Sequence, residues 1–335
     1  MYFVGIDIGG TKCAVTLFPE NGSEPSAKIR FETHSENGWR SVTDNIVLAV
    51  ENIMRENGLT SKDILSAGIS CGGPLDSRRG VIMCPPNLPD WDNVPVCKII
   101  SDRFGFPTFL QNDANACAIA EWRFGAGRGA ENVIFLTFGT GMGAGLILDG
   151  KLYSGTNDMA GEVGHIRLEK EGPVGYGKAG SFEGFCSGGG IAAGAREAAS
   201  ELFKNGGTTC ACEGADDVLS ITAASLAKAA DVGDEFSLGI YRRCGEKLGT
   251  ALALLIDILN PEVIVIGSIY ARSGKLLYDE MMKAIGREAL GLSASVCRIV
   301  PAALGDSIGD YAAVGVAKEG YERMKDNAVN SERIN

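Results

Sequence analysis

Two glycine-rich turns, Asp7-Ile8-Gly9-Gly10-Thr11-Lys12 and Gly139-Thr140-Gly141-Met142-Gly143-Ala144-Gly145, stand about 130 residues apart, each between two apolar strands. The first joins Tyr2-Phe3-Val4-Gly5-Ile6 to Ala14-Val15-Thr16-Leu17-Phe18. The second joins Val133-Ile134-Phe135-Leu136-Thr137-Phe138 to Leu146-Ile147-Leu148. Strand, turn, strand predicts β-hairpins rather than the strand-to-helix phosphate loops of dinucleotide folds. Glycines leave backbone N–H groups bare, and successive bare N–H groups make an anion-binding concavity. Either turn alone is satisfied by a hairpin needing residues at positive φ. Their recurrence, with Asp, Thr and Lys in the first, points to a polyphosphate clamped between two halves of one molecule.

The rest of the chain supports a repeated plan. Residues 39–55 place Val42, Ile46, Ala49, Val50, Ile53 and Met54 at helical spacing, giving one apolar face to pack on a sheet. A strand over 64–70 runs into Cys71-Gly72-Gly73-Pro74, and residues 84–91 form a loop stiffened by three prolines. A strand at 108–110 leads into Asn112-Asp113-Ala114-Asn115-Ala116 and an Ala-rich helix. The second half adds a helix from near Ile191, a long helix over 236–259 broken at Asn260-Pro261, and a buried strand over 263–266 ending at Gly267-Ser268. A last helix over 311–324 is expected to return to the first domain. Strands alternating with helices in two similar halves imply an α/β protein with a ligand cleft between its lobes. A chain of 335 residues divides by length into two domains. The expected division is 1–117 plus 306–330 as the smaller lobe and 118–305 as the larger.

The net charge of −11 argues against nucleic acid or an anionic membrane as partner, since both require clustered Lys and Arg. The first strand begins at Tyr2 and no apolar run approaches a membrane span, so no leader is expected and the cytoplasm is the expected location. Ten scattered cysteines, mostly in apolar segments, read as small buried hydrophobes in a reducing compartment. Cys210-Ala211-Cys212 lacks a second pair or nearby His and reads as a surface loop rather than a metal knuckle.

Asp113 is the leading candidate for a catalytic base, because it stands where a strand ends and a helix begins. An Asp there also suits helix N-capping, a role open to Asn112 or Asp113. Asp7, at the end of the first strand beside the glycine turn, suits Mg²⁺ held through water while the turn takes phosphate. Asp306 is a weaker candidate of the same kind. Gly161-Glu162-Val163-Gly164-His165 brings together a carboxylate and one of two histidines, and Glu183 follows a further glycine-rich stretch; such groups accept or donate hydrogen bonds to sugar hydroxyls at fixed positions.

In order and content these motifs resemble the ROK family of sugar kinases and related repressors, within the actin, heat-shock chaperone and sugar kinase superfamily. The resemblance runs from Gly5 to about Val316. It is carried by residues 7–12, Pro86-Asn87-Leu88, Asn112-Asp113-Ala114-Asn115, residues 139–145, Glu162-x-Gly-His165, Glu183, Ser187-Gly188-Gly189-Gly190, Val265-Ile266-Gly267 and Ala303-Leu304-Gly305-Asp306. It implies two similar lobes of the actin-like ATPase (ribonuclease H-like) type. It implies a glucokinase-like activity in which Asp113 deprotonates a hexose hydroxyl, usually the 6-hydroxyl, for attack on the γ-phosphate of ATP with Mg²⁺. Gly73, Asn87, Asn112, Asp113, Glu162, His165 and Glu183 would bind sugar. Asp7, Gly9, Gly10, Thr11, Lys12, Thr140 and Gly141 would hold phosphates or metal, and Gly189 and Gly267 would line the nucleotide pocket. A homodimer is expected, as relatives are often dimers.

The chain departs from the family in one place. Members commonly hold zinc with this His and three cysteines, whose positions here carry Val174, Tyr176 and Ser181. Tetrahedral zinc needs four N or S donors. No zinc site is therefore expected, and apolar packing of Val174 and Tyr176 is expected to hold the loop. The sugar stays open among glucose, mannose, fructose, allose and N-acetylated hexosamines, as does inorganic polyphosphate as donor. A sugar-responsive repressor is disfavoured by the charge and by a first strand at Tyr2. A non-catalytic sugar sensor is the other alternative.

Overall fold

The computed structural model describes residues 1–334. The first sheet is built from β1 (Tyr2–Ile8), β2 (Lys12–Pro19), β3 (Ala27–Glu32), β4 (Ile64–Cys71) and, after a small hairpin of β5 (Leu75–Asp76) and β6 (Val81–Ile82), β7 (Thr108–Asn112). Its order is β3-β2-β1-β4-β7. The β1–β2 and β2–β3 pairs are antiparallel, and β1–β4 and β4–β7 are parallel. The central strands are apolar on both faces because helices cover both. One face takes α1 (Gly38–Glu56), which buries Val42, Ile46, Ala49, Val50, Ile53 and Met54, the stripe expected from the sequence. Next come α2 (Val96–Phe104) and α3 (Asp113–Phe124). The edge strand β3 alternates half-buried and exposed residues, as a half-covered strand does.

The second sheet repeats this order. It comprises β8 (Val133–Leu136), β9 (Ala144–Leu148), β10 (Lys151–Leu152), β13 (Val263–Ile266) and β14 (Arg298–Pro301), in the order β10-β9-β8-β13-β14. Between its third and fourth strands in sequence lie the hairpin of β11 (Val174–Gly175) and β12 (Lys178–Ala179), then α4 (Phe182–Cys186), α5 (Gly188–Lys204), α6 (Ala223–Asp231) and α7 (Glu235–Leu259). Asp234 caps α7 by accepting Ser237 N at 2.9 Å, and Asn260 ends it in the left-handed region at φ 45°. The sheet's last crossover carries α8 (Ile269–Glu288) and α9 (Gly291–Val296). The final helix, α10 (Ile308–Ile334), covers the other face of the first sheet. It approaches so closely at Gly68 that a Cβ there would collide with the backbone of Ala313 and Ala317.

Two compact units result. The first is 1–129 with 152–160 and 306–335, and the second is 130–151 with 161–305. The division falls at 129 rather than at the expected 117, because α3 is one unbroken helix whose buried face belongs wholly to the first unit.

Candidate active site

In the first unit, the turn after β1 is pinned by Gly9 N donating to Lys12 O at 3.0 Å, Thr33 N to Thr11 O at 2.8 Å and Thr33 Oγ1 to Gly9 O at 2.6 Å. A Cβ on Gly10 would stand 2.7 Å from Asn87 O, so glycine is what lets the turn meet the 84–91 loop. That loop is anchored by fully buried Leu88 and Trp91, and it leaves Asn87 exposed with its amide over Gly72 at the end of β4. Gly73 and Thr11 are exposed. Exposed Lys12 has its Nζ 3.7 Å from Glu32 Oε1, a pairing too weak and too wet to fix it.

Asp113 is the first residue of α3, but the N-cap is Asn112, whose Oδ1 accepts Asn115 N at 2.8 Å. The alternative open in the sequence is thereby resolved. The Asp113 carboxylate is reachable by solvent yet crowded by protein, and this crowding pushes its pKa above the usual carboxylate range, opposed by N–H donation from Ala114 at 2.8 Å and from its own backbone. Asp7 is pushed up to about 6, chiefly by burial and then by Asp310 and Asp113, against Lys28 and Arg30. Its Oδ2 faces Gly309 at the start of α10, while Asp310 is held by Lys28 Nζ at 2.6 Å.

The second unit carries the other turn. Gly143 N donates to Thr137 Oγ1 at 2.9 Å, and Met142 N donates to Glu183 Oε2 at 3.0 Å. A Cβ on Gly141 would lie 2.9 Å from that same oxygen. Glu183, on α4, is thus bonded to the backbone of the glycine turn. Glu162 and His165 flank a single 3-10 turn, Val163–His165, whose Gly164 packs on Met142 O and the Glu183 Cβ. Both side chains are exposed; the His165 ring meets the Tyr176 ring edge-on at 6.4 Å, and its carbonyl accepts Lys178 Nζ at 2.7 Å.

A cavity of about 380 Å³ opens beside this turn, within the range of small-ligand sites. Its walls are Gly139 and Thr140 of the turn, Gly188 and Gly189 of α5, Thr222 to Ala224 at the start of α6, Tyr241 of α7, and Ser268, Ile269, Arg272 and Ser273 at the start of α8. Three helix N-termini therefore converge on it, a favourable setting for anions. Ser268 takes φ 53° and ψ −107°, a strained backbone of the kind concentrated at ligand sites. Gly267 is buried just behind, donating to Leu136 O at 3.0 Å, and Gly141 lies outside the wall. Thr222, Tyr241, Arg272 and Ser273 were not anticipated. The one sequence signal for them is the capping box that Thr222 and Ser225 form at the start of α6.

Among the described residues, no cluster of three or more His, Cys, Asp and Glu side chains could hold a metal. Mg²⁺ needs no such cage, since it keeps waters and binds one or two carboxylates plus phosphates, and Asp7 fits that demand. Zinc does not fit the 174–181 segment. Val174 and Tyr176 are 59% and 82% exposed, and buried Ser181 caps α4 by accepting Gly184 N at 3.1 Å. This corrects the expectation that Val174 and Tyr176 pack the loop. It is held instead by Gly180 N to Pro173 O at 3.0 Å, Leu168 N to Gly180 O at 2.8 Å and Arg167 Nη1 to Ala179 O at 2.7 Å.

Two sheets of one strand order, each headed by a glycine turn beside candidate phosphate-binding groups, define an α/β protein of the actin-like two-lobe class. The chain belongs to the ROK family, whose model matches residues 3–319. It is 33% identical to a glucokinase of Thermotoga maritima over 317 residues, covering 94% of this chain and 97% of that one. The ROK hexokinase of Thermus thermophilus is similar in structure, with a TM-score of 0.79, 29% identity and coverage of 97% and 100%. A ROK family glucokinase from Streptomyces griseus, solved with glucose and AMPPNP, gives a TM-score of 0.72 at 29% identity, with coverage of 95% and 100%. No helix among the described residues is long and apolar enough to cross a membrane.

Proposed function

We propose that this chain transfers the γ-phosphoryl group of Mg-ATP to the 6-hydroxyl of a glucose-like hexose, with Asp113 as general base. Its membership of the ROK family and its likeness to glucokinases make it a sugar kinase. The observation that carries the assignment of the base is that Asn112 caps α3, leaving an accessible carboxylate at the helix start. The helix N-terminus favours the ionised form, and the raised pKa makes the carboxylate a better proton acceptor than an ordinary Asp. As the hydroxyl oxygen bonds to phosphorus, its proton passes to Asp113 and the bond to ADP breaks.

Phosphoryl transfer asks the protein for positioning and charge compensation more than for covalent chemistry. Thr11, Lys12, Gly9, Gly10, Thr140 and Gly141 would hold phosphate oxygens. The cavity lined by Gly189 would take the nucleoside, with Gly267 supporting its wall. Mg²⁺, held through water by Asp7, would neutralise charge on the phosphates. Gly73, Asn87 and Asn112 of the first unit and Glu162, His165 and Glu183 of the second would read the sugar hydroxyls. A homodimer and a cytoplasmic location complete the proposal.

A coupled ADP-release assay over hexoses and N-acetylhexosamines tests it. Wild type should turn over one sugar, and Asp113→Asn should lose at least a thousandfold in kcat while binding that sugar within about threefold. Residual turnover within tenfold of wild type would remove Asp113 from its role. Turnover only with fructose or an N-acetylhexosamine would replace the glucose-like substrate, and sugar binding without turnover would favour a sensor.

A further inference from the structure

Tyr241 lies in α7 with its ring in the cavity wall and 1% of its surface exposed. Its hydroxyl donates to the carbonyl of Ala223, the first residue of α6, at 2.8 Å. Ser273 lines the same cavity, and its side chain offsets part of the burial that raises the phenol's pKa. Ser273 is also where α8 departs from helical geometry, at φ −126° and ψ 16°. Ser273-Gly274 is the kind of Ser/Gly pair at which helices kink. One phenol therefore joins α7 to the start of α6, beside the kink of α8, where all three reach the cavity.

The groups on either side of that phenol are the polar ones. Ala223 and Ala224 occupy the first two positions of α6, where N–H groups have no acceptor within the helix. Arg272, one residue before the kink, is the one cationic side chain among the described lining residues. Burial pushes Tyr241 up to about 12, so it remains a neutral donor throughout the neutral range.

We infer that Tyr241 is the positioning residue of the donor site: by tying the start of α6 to α7, across the cavity wall from the kink of α8, it fixes the gap that receives the nucleoside end of the donor, and so sets nucleotide affinity without touching the transferred group. The inference rests on the nucleotide-binding part of the kinase reading above, not on the transfer step. A donor without a nucleoside, such as a chain of inorganic phosphates, would be indifferent to this tie.

Tyr241→Phe removes one oxygen, and with it the bond to Ala223, and keeps the ring. Binding of Mg-ADP and of the accepted hexose should be measured directly by calorimetry, alongside kcat and KM. In Tyr241→Phe the Kd for Mg-ADP and the KM for ATP should rise about three- to tenfold, the range set by one buried hydrogen bond. Hexose affinity and kcat should stay within about twofold. Mg-ADP affinity within twofold of wild type in Tyr241→Phe would overturn the inference, as would equal losses for ADP and hexose. A wild type that binds Mg-ADP but transfers nothing would sink the kinase reading and leave the inference standing. A wild type that binds no nucleotide would sink both.

Discussion

Asp7 and Asp113 are both carboxylates with raised pKa values, yet their surroundings differ. Asp113 has the α3 N-terminus beneath it and N–H donation to its ionised form. Asp7 has burial and two neighbouring acids, only partly offset by Lys28 and Arg30. Its folded pKa of about 6 exceeds the ordinary carboxylate value of 3.8. Over that window the unfolded chain gives up the proton while the folded one keeps it, so stability falls as pH rises and then levels off above 6. A charge held at such a disadvantage in the ligand-free protein suits a group that meets a cation on binding. Asp7→Asn removes the penalty. At pH 7.5 the ligand-free variant should be more stable than wild type by about 1–2 kcal/mol, with the gain shrinking toward pH 4.5, while Mg-ATP turnover collapses. Denaturant melts at the two pH values check this, and a gain of equal size at both would assign it to packing instead.

At the scale of elements, glycines set how near the pieces of the site come together. A Cβ on Gly141 would stand 2.9 Å from the Glu183 carboxylate that accepts Met142 N. Gly141 is not at positive φ, so Ala is penalised by contact and not by backbone strain. Gly141→Ala should therefore push Glu183 off the turn, raising the KM for hexose about tenfold with a smaller loss of stability; an unchanged KM would separate Glu183 from sugar binding. The 174–181 hairpin is held by backbone hydrogen bonds and the Ser181 cap, so purified protein should carry well under one zinc per chain and a chelator should leave its melting temperature unchanged. Metal analysis checks that, with one equivalent contradicting it. The elements that could be read in the sequence were those with a strong period or a motif: β1, β2, α1, α3, α7 and β13 fall close to where their patterns place them. Those missed had no such signal. α4 spans 5 residues, α6 is alanine-rich with three buried residues, and α8 is broken by Ser273. The cavity was half legible for the same reason, since its turn and Gly188-Gly189 wall are motifs whereas Tyr241 and Ser273 come together in it only through tertiary packing.

At the scale of the whole molecule, duplicated sheets carry unlike loads. The first unit holds Asp7, Asn87, Asn112 and Asp113, and every residue lining the cavity beside the second glycine turn belongs to the second. Each unit also has its own apolar core, one around β1 and α1 and the other around β8, β13 and α7. Units with separate cores can open separately, with local free energies below that of global unfolding. A ligand held by one unit's groups should then protect that unit first, by mass action on its closed state. The amides of Ala223 and Ala224, lacking an acceptor within α6, should exchange rapidly in the free protein and slow when an anion takes them. Hydrogen exchange with Mg-ADP alone should therefore slow at residues 139–141, 188–190, 222–225 and 268–273, and leave the start of α3 at 113–116 unchanged. Hexose alone should slow 86–88 and 112–116. Mg-ADP protection confined to residues 9–12 would move the donor's main anchorage to the first turn and leave the cavity without its assigned occupant.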